Sequence, residues 1–261
     1  MEISRFPAYP AMNGTHLMAK TGIFIQARTT SSRLPGKVLL PLPSSGKVTL
    51  IEQIYARLIQ VCGTVVVLAP FEDDKLIKYL SKIKIPCFPG PLEDVRERYR
   101  LAASYYNVDY IVRATGDNPC VDPAAALNTI ERINQTKADL FSFSNLPLGC
   151  AVEAFTKAAL FCDTEDFVPE YKEHVSLHIK HHPEKFHIIH EKHPSWTKDH
   201  SPRLTVDEEP DYHVVNSLFL RLGNNFTMKE IAGLYEEEPE FFQSNAGIVH
   251  NYYRKEDIIK Q

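Results

Sequence analysis

The sequence contains no long apolar run and few cysteines. No segment approaches the roughly 20 consecutive apolar residues with which a helix crosses a bilayer, and residues 1–20 lack the layout of a secretory signal peptide. The five cysteines are odd in number and form no CxxC pair, which is typical of reduced thiols and argues against a disulfide framework or a zinc site. We therefore expect a cytoplasmic protein with no membrane partner.

The chain also lacks an excess of one charge, internal repeats and low-complexity linkers. Its 29 lysines and arginines nearly balance 33 aspartates and glutamates, and a formal net charge of -4 provides no chain-wide field to attract nucleic acid. The 261 residues, 44% of them hydrophobic, suffice for one large α/β domain or two small ones. We predict a single domain over residues 21–261, an extension over 1–20, and a substrate-covering lobe at about 147–200.

Short apolar runs alternate with helical patterns through the first half of the chain. The predicted strands are 23–25, 64–69, 85–88, 109–113 and 140–143, and the predicted helices are 49–60, 72–82, 93–105 and 122–134. This alternation is typical of right-handed βαβ units and predicts an α/β fold with a mostly parallel sheet. In the less regular second half we predict a helix at 164–181, strands at 186–190 and 203–206, and helices at 211–222 and 227–236; the tail from Phe241 has no assignment.

A cationic loop follows the first predicted strand, residues 23–25. Arg28, Arg33 and Lys37 lie within ten residues of one another, with four hydroxyl side chains at 29–32. Ligands of open α/β sheets bind beyond the carboxyl ends of strands, and arginine and lysine are the side chains that hold phosphate oxygens. The pattern indicates a polyphosphate site, although a solvated loop with two chance arginines is an open alternative.

Two aspartates come at the ends of predicted strands. Asp117 follows strand 109–113 through the turn at Gly116, and Asp207 follows strand 203–206. Mg²⁺ prefers oxygen ligands and is typically held by one or two carboxylates plus substrate phosphates. Each aspartate taken alone is better explained as a helix cap. Together with the cationic loop at a third strand end, the pair predicts a metal site.

Three other patterns carry weaker signals. Residues 45–47 (SGK) hint at a Walker A loop, but its Ser/Thr and its upstream glycine are missing. His174, His178 and His182 would share one face of a continuous helix and could ligate zinc, although exposed histidines are the favoured interpretation. Trp196 could stack on a ligand, but a loop tryptophan more often packs against its own domain.

Six motifs occur in an order that resembles a known enzyme family. They are Gln26-Ala-Arg28-x-x-Ser31-x-Arg33-Leu-Pro-Gly-Lys37, Gly90-x-x-x-Asp94-Val95-x-x-Arg98-Tyr99, Arg113-x-Thr-Gly-Asp117-x-Pro119, Glu173-His174-Val175, His182-Pro183-Glu184 and Arg203-Leu-Thr-Val-Asp207. Together they resemble the cytidylyltransferases of the spore-coat polysaccharide SpsF type. That group is related to the enzymes that make CMP-activated acidic sugars such as sialic acid and 3-deoxy-manno-octulosonate. The similarity extends from about residue 21 to residue 250.

The resemblance implies a fold, a reaction and a cofactor. The fold is that of the nucleotide-diphospho-sugar transferases, a mixed, mostly parallel sheet flanked by helices on both faces. The reaction is transfer of CMP from CTP to a sugar or related small acceptor, with release of pyrophosphate, in surface polysaccharide biosynthesis. Mg²⁺ is the implied cofactor, CTP and the acceptor are the implied partners, and a homodimer is left open.

The same resemblance implies the roles of individual residues. Arg28, Lys37, Asp117 and Asp207 would be catalytic, and the two aspartates would also hold Mg²⁺. The implied nucleotide-binding residues are Gln26, Ala27, Arg28, Ser31, Arg33, Lys37, Gly90, Asp94, Arg113, Thr115 and Gly116. The implied acceptor-binding residues are Glu153, Glu173, His174 and Arg203.

Three positions depart from the pattern of that family. Thr30 stands where the residue is usually small, and Ala151 replaces the first carboxylate of the usual Asp-Val-Glu-Val-Phe. Residues 208–211 read Glu-Glu-Pro-Asp instead of Thr-Pro-Glu-Asp. Two alternatives therefore stay open: a glycosyltransferase that shares the fold but uses a nucleotide-sugar donor, and a non-catalytic nucleotide-binding relative, which the changes at Thr30 and Ala151 suggest.

Overall fold

The computed structural model of the protein describes residues 20–166 and 168–248. The strands are β1 (Thr21–Gln26), β2 (Val65–Pro70), β3 (Cys87–Gly90), β4 (Tyr110–Thr115), β5 (Leu140–Phe143), β6 (Glu153–Thr156) and β7 (Ile188–Glu191). The helices are α1 (Leu50–Leu58), α2 (Asp74–Lys82), α3 (Val95–Tyr105), α4 (Pro123–Thr136), α5 (Lys157–Phe161), α6 (Glu170–Glu173), α7 (Leu177–Lys180), α8 (Glu209–Leu222) and α9 (Met228–Glu237). Two 3-10 helices cover Lys37–Leu39 and Pro239–Asn245.

The strands form one mixed sheet in the order β3-β2-β1-β4-β6-β5-β7. Neighbouring strands are parallel except that β6 runs antiparallel to both β4 and β5. The carboxyl ends of the other six strands therefore lie at one edge of the sheet, together with the amino end of β6. The predicted α/β fold with a mostly parallel sheet is confirmed, and this edge is where ligands of open α/β sheets bind.

Hydrophobic side chains are buried on both faces of the sheet. Ile23 and Ile25 of β1 belong to a core cluster that also contains side chains of α1, α2, α4, α8 and α9. Phe24 between them belongs to a second cluster, which contains side chains of α3, α5 and α7. Helices thus cover both faces, as predicted, and strands buried on both faces read as continuous apolar runs. Within the described residues, no helix has the length and apolar character to cross a membrane.

Local capping signals explain where the long helices begin. Thr49 and Glu52 form a capping box at α1, and Thr227 forms the same box at α9. Asp122 caps α4, whose first residue is Pro123. These side chains satisfy backbone N–H groups that have no partner inside the helix. The helices predicted in the first half of the chain therefore agree with α1 to α4 to within a few residues.

The second half departs from the prediction in two places. The predicted helix 164–181 is wrong, because the described residues of this segment form only the single turns α6 and α7, with His174 in an extended conformation between them. This break lets Val175 bury its side chain in the core and lets Ser176 donate to Glu153. The predicted strand 203–206 is also wrong: Arg203 forms an isolated bridge, and the segment has no other strand partner in the part of the chain that the structure describes.

Strand β6 and helix α5 have no counterpart in the sequence-based prediction. The strand is four residues long, with Ala154 and Phe155 fully buried, and it lies between β4 and β5. A run this short cannot be assigned by periodicity alone. The predicted extension over residues 1–20 lies, apart from Lys20, outside the described residues, and the single domain over 21–261 stays a prediction.

Gly149 brings two distant segments into backbone contact. The carbonyl of Leu148 accepts a hydrogen bond from the Leu204 N–H at 2.8 Å. Gly149 itself has a φ of +99°, and a Cβ there would lie 2.5 Å from both the Leu204 carbonyl carbon and the Thr205 nitrogen. No side chain fits this close approach. The contact matters for function because the segment continues directly to Asp207.

Substitution of Gly149 tests this contact. We expect Gly149→Ala to lower the free energy of unfolding by about 2–4 kcal/mol, because it adds both overpacking and an unfavourable φ. Gly233→Ala is the matched control: Gly233 lies inside α9, and among the described residues no atom beyond its chain neighbours and the helix's own backbone lies within 4 Å of a new Cβ. That change should instead stabilise the protein, by about 0.5–1 kcal/mol. Urea unfolding measures both, and equal effects would contradict the packing argument.

Candidate active site

The loop after β1 closes on itself and delivers Lys37 to the interior. The N–H of Gly36 donates to the carbonyl of Thr29 at 2.8 Å, and Gly36 has a φ of 73°, in the left-handed region that favours glycine. The 3-10 helix Lys37–Leu39 follows at once, and Lys37 is buried although it is a lysine. Buried lysines need charged partners, and the structure provides two.

Asp117 and Asp207 converge on the ammonium group of Lys37. The Lys37 Nζ lies 3.3 Å from Asp117 Oδ2 and 3.0 Å from Asp207 Oδ1. The two carboxylates therefore face one point in space, although 90 residues separate them in the chain. The structure brings together the cationic loop and both predicted aspartates, which is the arrangement that the metal-site prediction requires.

Neither aspartate serves as a helix cap. Helix α4 is capped by Asp122, and α8 is capped by Glu208, which forms a capping box with Asp211. The cap interpretation of Asp117 and Asp207 is therefore wrong. What holds the segment before α8 in place is the backbone, since the Val206 N–H donates to the Asp117 carbonyl at 2.7 Å.

Three cations surround the carboxylate of Asp207. Besides Lys37, Arg33 Nη2 lies 3.1 Å from Oδ1 and Arg203 Nη2 lies 2.8 Å from Oδ2. Burial by itself raises the pKa of a carboxyl group, but Lys37, Arg33 and Arg203 together outweigh burial and hold the pKa of Asp207 below its usual range. Asp207 is therefore ionised at neutral pH.

Arg203 is held in turn by a buried residue that the sequence analysis missed. Asp211 accepts from Arg203 Nε at 2.8 Å and from the backbone N–H groups of Asp207 and Glu208 at 3.0 and 3.1 Å. Its spacing from Glu208 could have predicted a capping box, but nothing in the sequence indicated the bond to Arg203. For Arg203, the predicted acceptor contact stays a prediction, while the structure shows it orienting Asp207.

The donor set fits a hard divalent cation. Asp117 and Asp207 each place a carboxylate oxygen within 3.3 Å of the Lys37 ammonium, the cation that they share here, and Mg²⁺ takes such ligands while keeping waters and phosphate oxygens in its remaining positions. Among the described residues, no group of three or more His, Cys, Asp or Glu side chains could hold a metal by itself. The residues therefore suit a metal that arrives with a phosphate ligand rather than a closed structural site.

Several predicted nucleotide-binding residues meet at the adjoining ends of β1 and β4. Gln26 pairs in register with Thr115, and its side-chain oxygen accepts from Arg113 Nε at 3.0 Å. The Gly116 N–H donates to the Gln26 carbonyl at 2.7 Å, and a Cβ on Gly116 would lie 2.7 Å from that of Ala27. Gly116 thus permits close contact between the two strand ends.

Two other predicted nucleotide-binding residues have structural contacts of their own. Asp94 caps α3 by accepting from the Glu97 N–H at 2.8 Å. Gly90 lies under Arg98, where a Cβ would come 2.5 Å from the arginine Cγ. Arg28 and Ser31 lie in the loop after β1, with Arg28 exposed. The roles of these residues toward a nucleotide stay predictions.

Comparison with known proteins identifies the family of this chain. The family model for cytidylyltransferases matches residues 23–249. This chain belongs to the cytidylyltransferase family. A solved cytidylyltransferase from Leptospira borgpetersenii is 31% identical, with a TM-score of 0.76, and the alignment covers 89% of this chain and 100% of that one.

More distant relatives of this cytidylyltransferase agree. The spore coat polysaccharide biosynthesis protein SpsF of Bacillus subtilis is 29% identical over 229 residues, which are 83% of this chain and 94% of that protein. A CMP:2-keto-3-deoxy-manno-octonic acid synthetase, solved with CTP, has a TM-score of 0.59 at 17% identity, over 78% of this chain and 99% of that one, and shows the shared fold. The resemblance seen in the sequence is therefore confirmed.

Glu153, a predicted acceptor-binding residue of this cytidylyltransferase, is buried in an ion-pair network. It accepts from Arg113 Nη1 at 3.1 Å, from Ser176 Oγ at 2.7 Å and from Lys180 Nζ at 2.6 Å. Burial would raise its pKa, but Lys180 and Arg113 outweigh burial and lower the pKa of Glu153 to about 2. No local pattern in the sequence indicated Ser176 or Lys180 as partners.

The histidines near this network do not form a metal site. His178 is fully buried, with its Nε2 2.9 Å from the Ala159 carbonyl, and His182 is buried beside Asp166. Because the chain breaks between α6 and α7, the two do not share a continuous helix with His174. The zinc alternative is wrong, and so is the interpretation of all three as exposed.

The remaining predicted residues of this region differ in burial. Glu173 is exposed and His174 is partly buried, and burial is the main cause that lowers the pKa of His174. Trp196 is 2% exposed and packs against Tyr235. The tryptophan therefore packs on its own domain, as the commoner interpretation held.

The Glu153 network predicts a pH-dependent stability. Glu153→Gln removes the carboxylate that Arg113 Nη1 and Lys180 Nζ contact, so we expect a loss of about 3–5 kcal/mol in unfolding free energy at pH 7. Because the folded pKa is about 2 and the ordinary value is 4.5, this contribution is present above pH 4.5 and disappears as the pH falls toward 2. Urea unfolding of both proteins at pH 7 and pH 3 measures the difference.

The control for this prediction is Glu236→Gln, which removes an exposed carboxylate that pairs with Lys198. That variant should differ little from the wild type at either pH, because exposed ion pairs contribute little. A loss for Glu153→Gln that is as large at pH 3 as at pH 7 would contradict its origin in the ion pairs.

Proposed function

We propose that this chain transfers CMP from CTP to a hydroxyl group of a sugar or related small acceptor, with Mg²⁺, in cytoplasmic synthesis of surface polysaccharide precursors. The observation that carries the proposal is the convergence of Lys37, Asp117 and Asp207 at the edge where the parallel strands end. Membership in the cytidylyltransferase family supports cytidylyl transfer as the reaction of this site.

The reaction asks for positioning and charge more than for covalent chemistry. An acceptor hydroxyl oxygen forms a bond to the α-phosphorus, and the bond from that phosphorus to the oxygen bridging the β-phosphate breaks. Pyrophosphate leaves with the bridging oxygen, and the hydroxyl proton is released to solvent. In such displacements most of the catalytic effect comes from alignment and from cations on the phosphates.

Cationic side chains of the loop after β1 would bind the triphosphate. Arg33 and Lys37 already lie beside Asp207, so phosphates placed there would be adjacent to the two carboxylates. Asp117 and Asp207 are the side chains that would hold Mg²⁺. Bound there, Mg²⁺ would stabilise the charge that develops on the phosphate oxygens in the transition state. Arg28, exposed in the same loop, would reach the phosphates from the solvent side.

A cavity beside the loop offers space for the base. It has a volume of about 320 Å³, and its lining residues are Thr29, Thr30, Pro70, Glu72, Asp73, Asp74, Lys75 and Leu92. Pro70 ends β2, and Leu92 follows the end of β3. We assign this cavity to the pyrimidine, because it adjoins the phosphate loop at the ligand-binding edge of the sheet. Thr30, bulkier than the usual residue, is part of its wall.

The acceptor would lie on the other side of Asp117, toward β6. Glu153 at the start of β6 pairs with Arg113 on β4 and with Lys180 on α7. This network places charged and hydroxyl groups at the same sheet edge, as a polyhydroxylated acceptor requires. Glu153, Glu173, His174 and Arg203 are the residues that we propose for acceptor recognition.

Loss of one carboxylate tests the metal role. We expect Asp117→Asn to reduce pyrophosphate release at least about 100-fold, because it removes one of two charged ligands that support transition-state charge. The assay follows pyrophosphate from CTP and Mg²⁺ with N-acetylneuraminate, 3-deoxy-manno-octulosonate and neutral hexoses as acceptors. Asp109→Asn is the control: Asp109 is exposed, accepts from the Lys20 N–H, and precedes β4 at the opposite sheet edge. Turnover by Asp117→Asn equal to that of the control would refute the role.

A thermal-shift comparison separates the proposal from its alternatives. CTP with Mg²⁺ at about 100 times its Kd should add roughly 2.7 kcal/mol, or a rise in Tm of about 5–10 °C. ATP, GTP, UTP, UDP-sugars and GDP-sugars should shift the Tm less. A larger shift by a nucleotide sugar would favour a glycosyltransferase. A CTP shift without pyrophosphate release for any acceptor would favour a non-catalytic relative.

A further inference from the structure

Asp73 connects the start of α2 to the loop after β1, 44 residues earlier in the chain. Its Oδ2 accepts from the Thr29 N–H at 2.6 Å, and its Oδ1 accepts from the Thr29 hydroxyl at 2.8 Å. Asp73 is 6% exposed. Both oxygens of one buried carboxylate are thus directed at a single residue, and hydrogen bonds to a charged acceptor are the strong ones.

Thr29 is the point at which the loop is anchored. Its N–H and hydroxyl both bond to Asp73, and its carbonyl accepts from the Gly36 N–H at 2.8 Å. The two ends of the loop therefore meet at Thr29, and Lys37 follows directly after Gly36, the residue that bonds Thr29. Asp73 acts on Lys37 through one residue and one backbone hydrogen bond.

Capping of α2 does not by itself explain Asp73. Its Oδ1 also accepts from the Leu76 N–H, but at 3.2 Å, which is longer than either bond to Thr29. A serine would cap a helix about as well as an aspartate. A serine, however, has one side-chain oxygen in place of the two carboxylate oxygens that bond Thr29. The aspartate is thus the cap residue that also holds the loop.

We propose that Asp73 is a positioning residue that holds the phosphate-binding loop in register with Asp117 and Asp207. This inference rests on the proposed function, because it concerns the geometry in which CTP is bound. Asp73 and Thr29 also line the cavity that we assign to the base. One carboxylate therefore fixes the base cavity and the phosphate loop relative to each other, and a displacement of about 1 Å can cost about 100-fold in rate.

The test uses variants that separate capping from loop anchoring. Asp73→Ser keeps a cap residue at α2 and removes both bonds to Thr29. Asp122→Ser is the matched control, because Asp122 also caps a helix, α4, and also bonds a distant N–H, that of Met228. Thr29→Val removes the hydroxyl at nearly constant volume, whereas Thr29→Ser keeps it.

We expect Asp73→Ser to raise the Kd of CTP, measured calorimetrically with Mg²⁺ and no acceptor, and its KM at least about tenfold. Asp122→Ser should leave both constants unchanged while losing a similar amount of thermal stability. Thr29→Val should weaken CTP binding, and Thr29→Ser, which keeps the hydroxyl, should bind CTP about as tightly as the wild type. Because the two side chains act through one contact, the double variant Asp73→Ser/Thr29→Val should bind CTP no worse than Asp73→Ser alone.

Two results would overturn the inference, and they are distinguishable. If the wild type binds CTP and releases pyrophosphate while Asp73→Ser matches Asp122→Ser in Kd and KM, the positioning role is refuted and the proposed function stands. If the wild type itself shows neither CTP binding nor pyrophosphate release, the proposed function fails, and the inference fails with it.

Discussion

The ammonium group of Lys37 between Asp117 and Asp207 is the contact on which the rest of the site depends. A buried lysine is rare without charged partners, and here the Lys37 ammonium lies within 3.3 Å of both carboxylates. Each group therefore fixes the others. The consequence is that the loop after β1, the end of β4 and the segment before α8 have one mutual arrangement.

A second layer of residues supports this arrangement from the carboxyl-terminal part of the described chain. Arg203 bonds Asp207 and Asp211, and Asn245 donates both to the Arg203 carbonyl and to Asp211. The 3-10 helix Pro239–Asn245, for which the sequence offered no assignment, thus supports a carboxylate of the candidate site. The cations of Lys37, Arg33 and Arg203 are what keep the carboxylate of Asp207 ionised despite its burial.

The Glu153 network likewise pairs a buried carboxylate with cations, at β6, the strand next to β4 on the side away from β1. Glu153 is buried with Arg113, Ser176 and Lys180 as partners. Ser176 lies between α6 and α7, so the break between these helices provides one of the groups that bond the buried carboxylate. The irregular backbone of this region follows from tertiary contacts rather than from local preference.

The sequence by itself determined the α/β alternation of the first half, the helix starts at Thr49, Asp122 and Thr227, the family, and the residue types of the site. These features depend on periodicity, capping and motif spacing, which act between residues close together in the chain. Tertiary structure alone decided that β6 inserts antiparallel between β4 and β5, that residues 203–206 form no strand, and that Asp73 holds Thr29. Those outcomes depend on contacts between residues tens of positions apart, for which single-sequence patterns carry no signal.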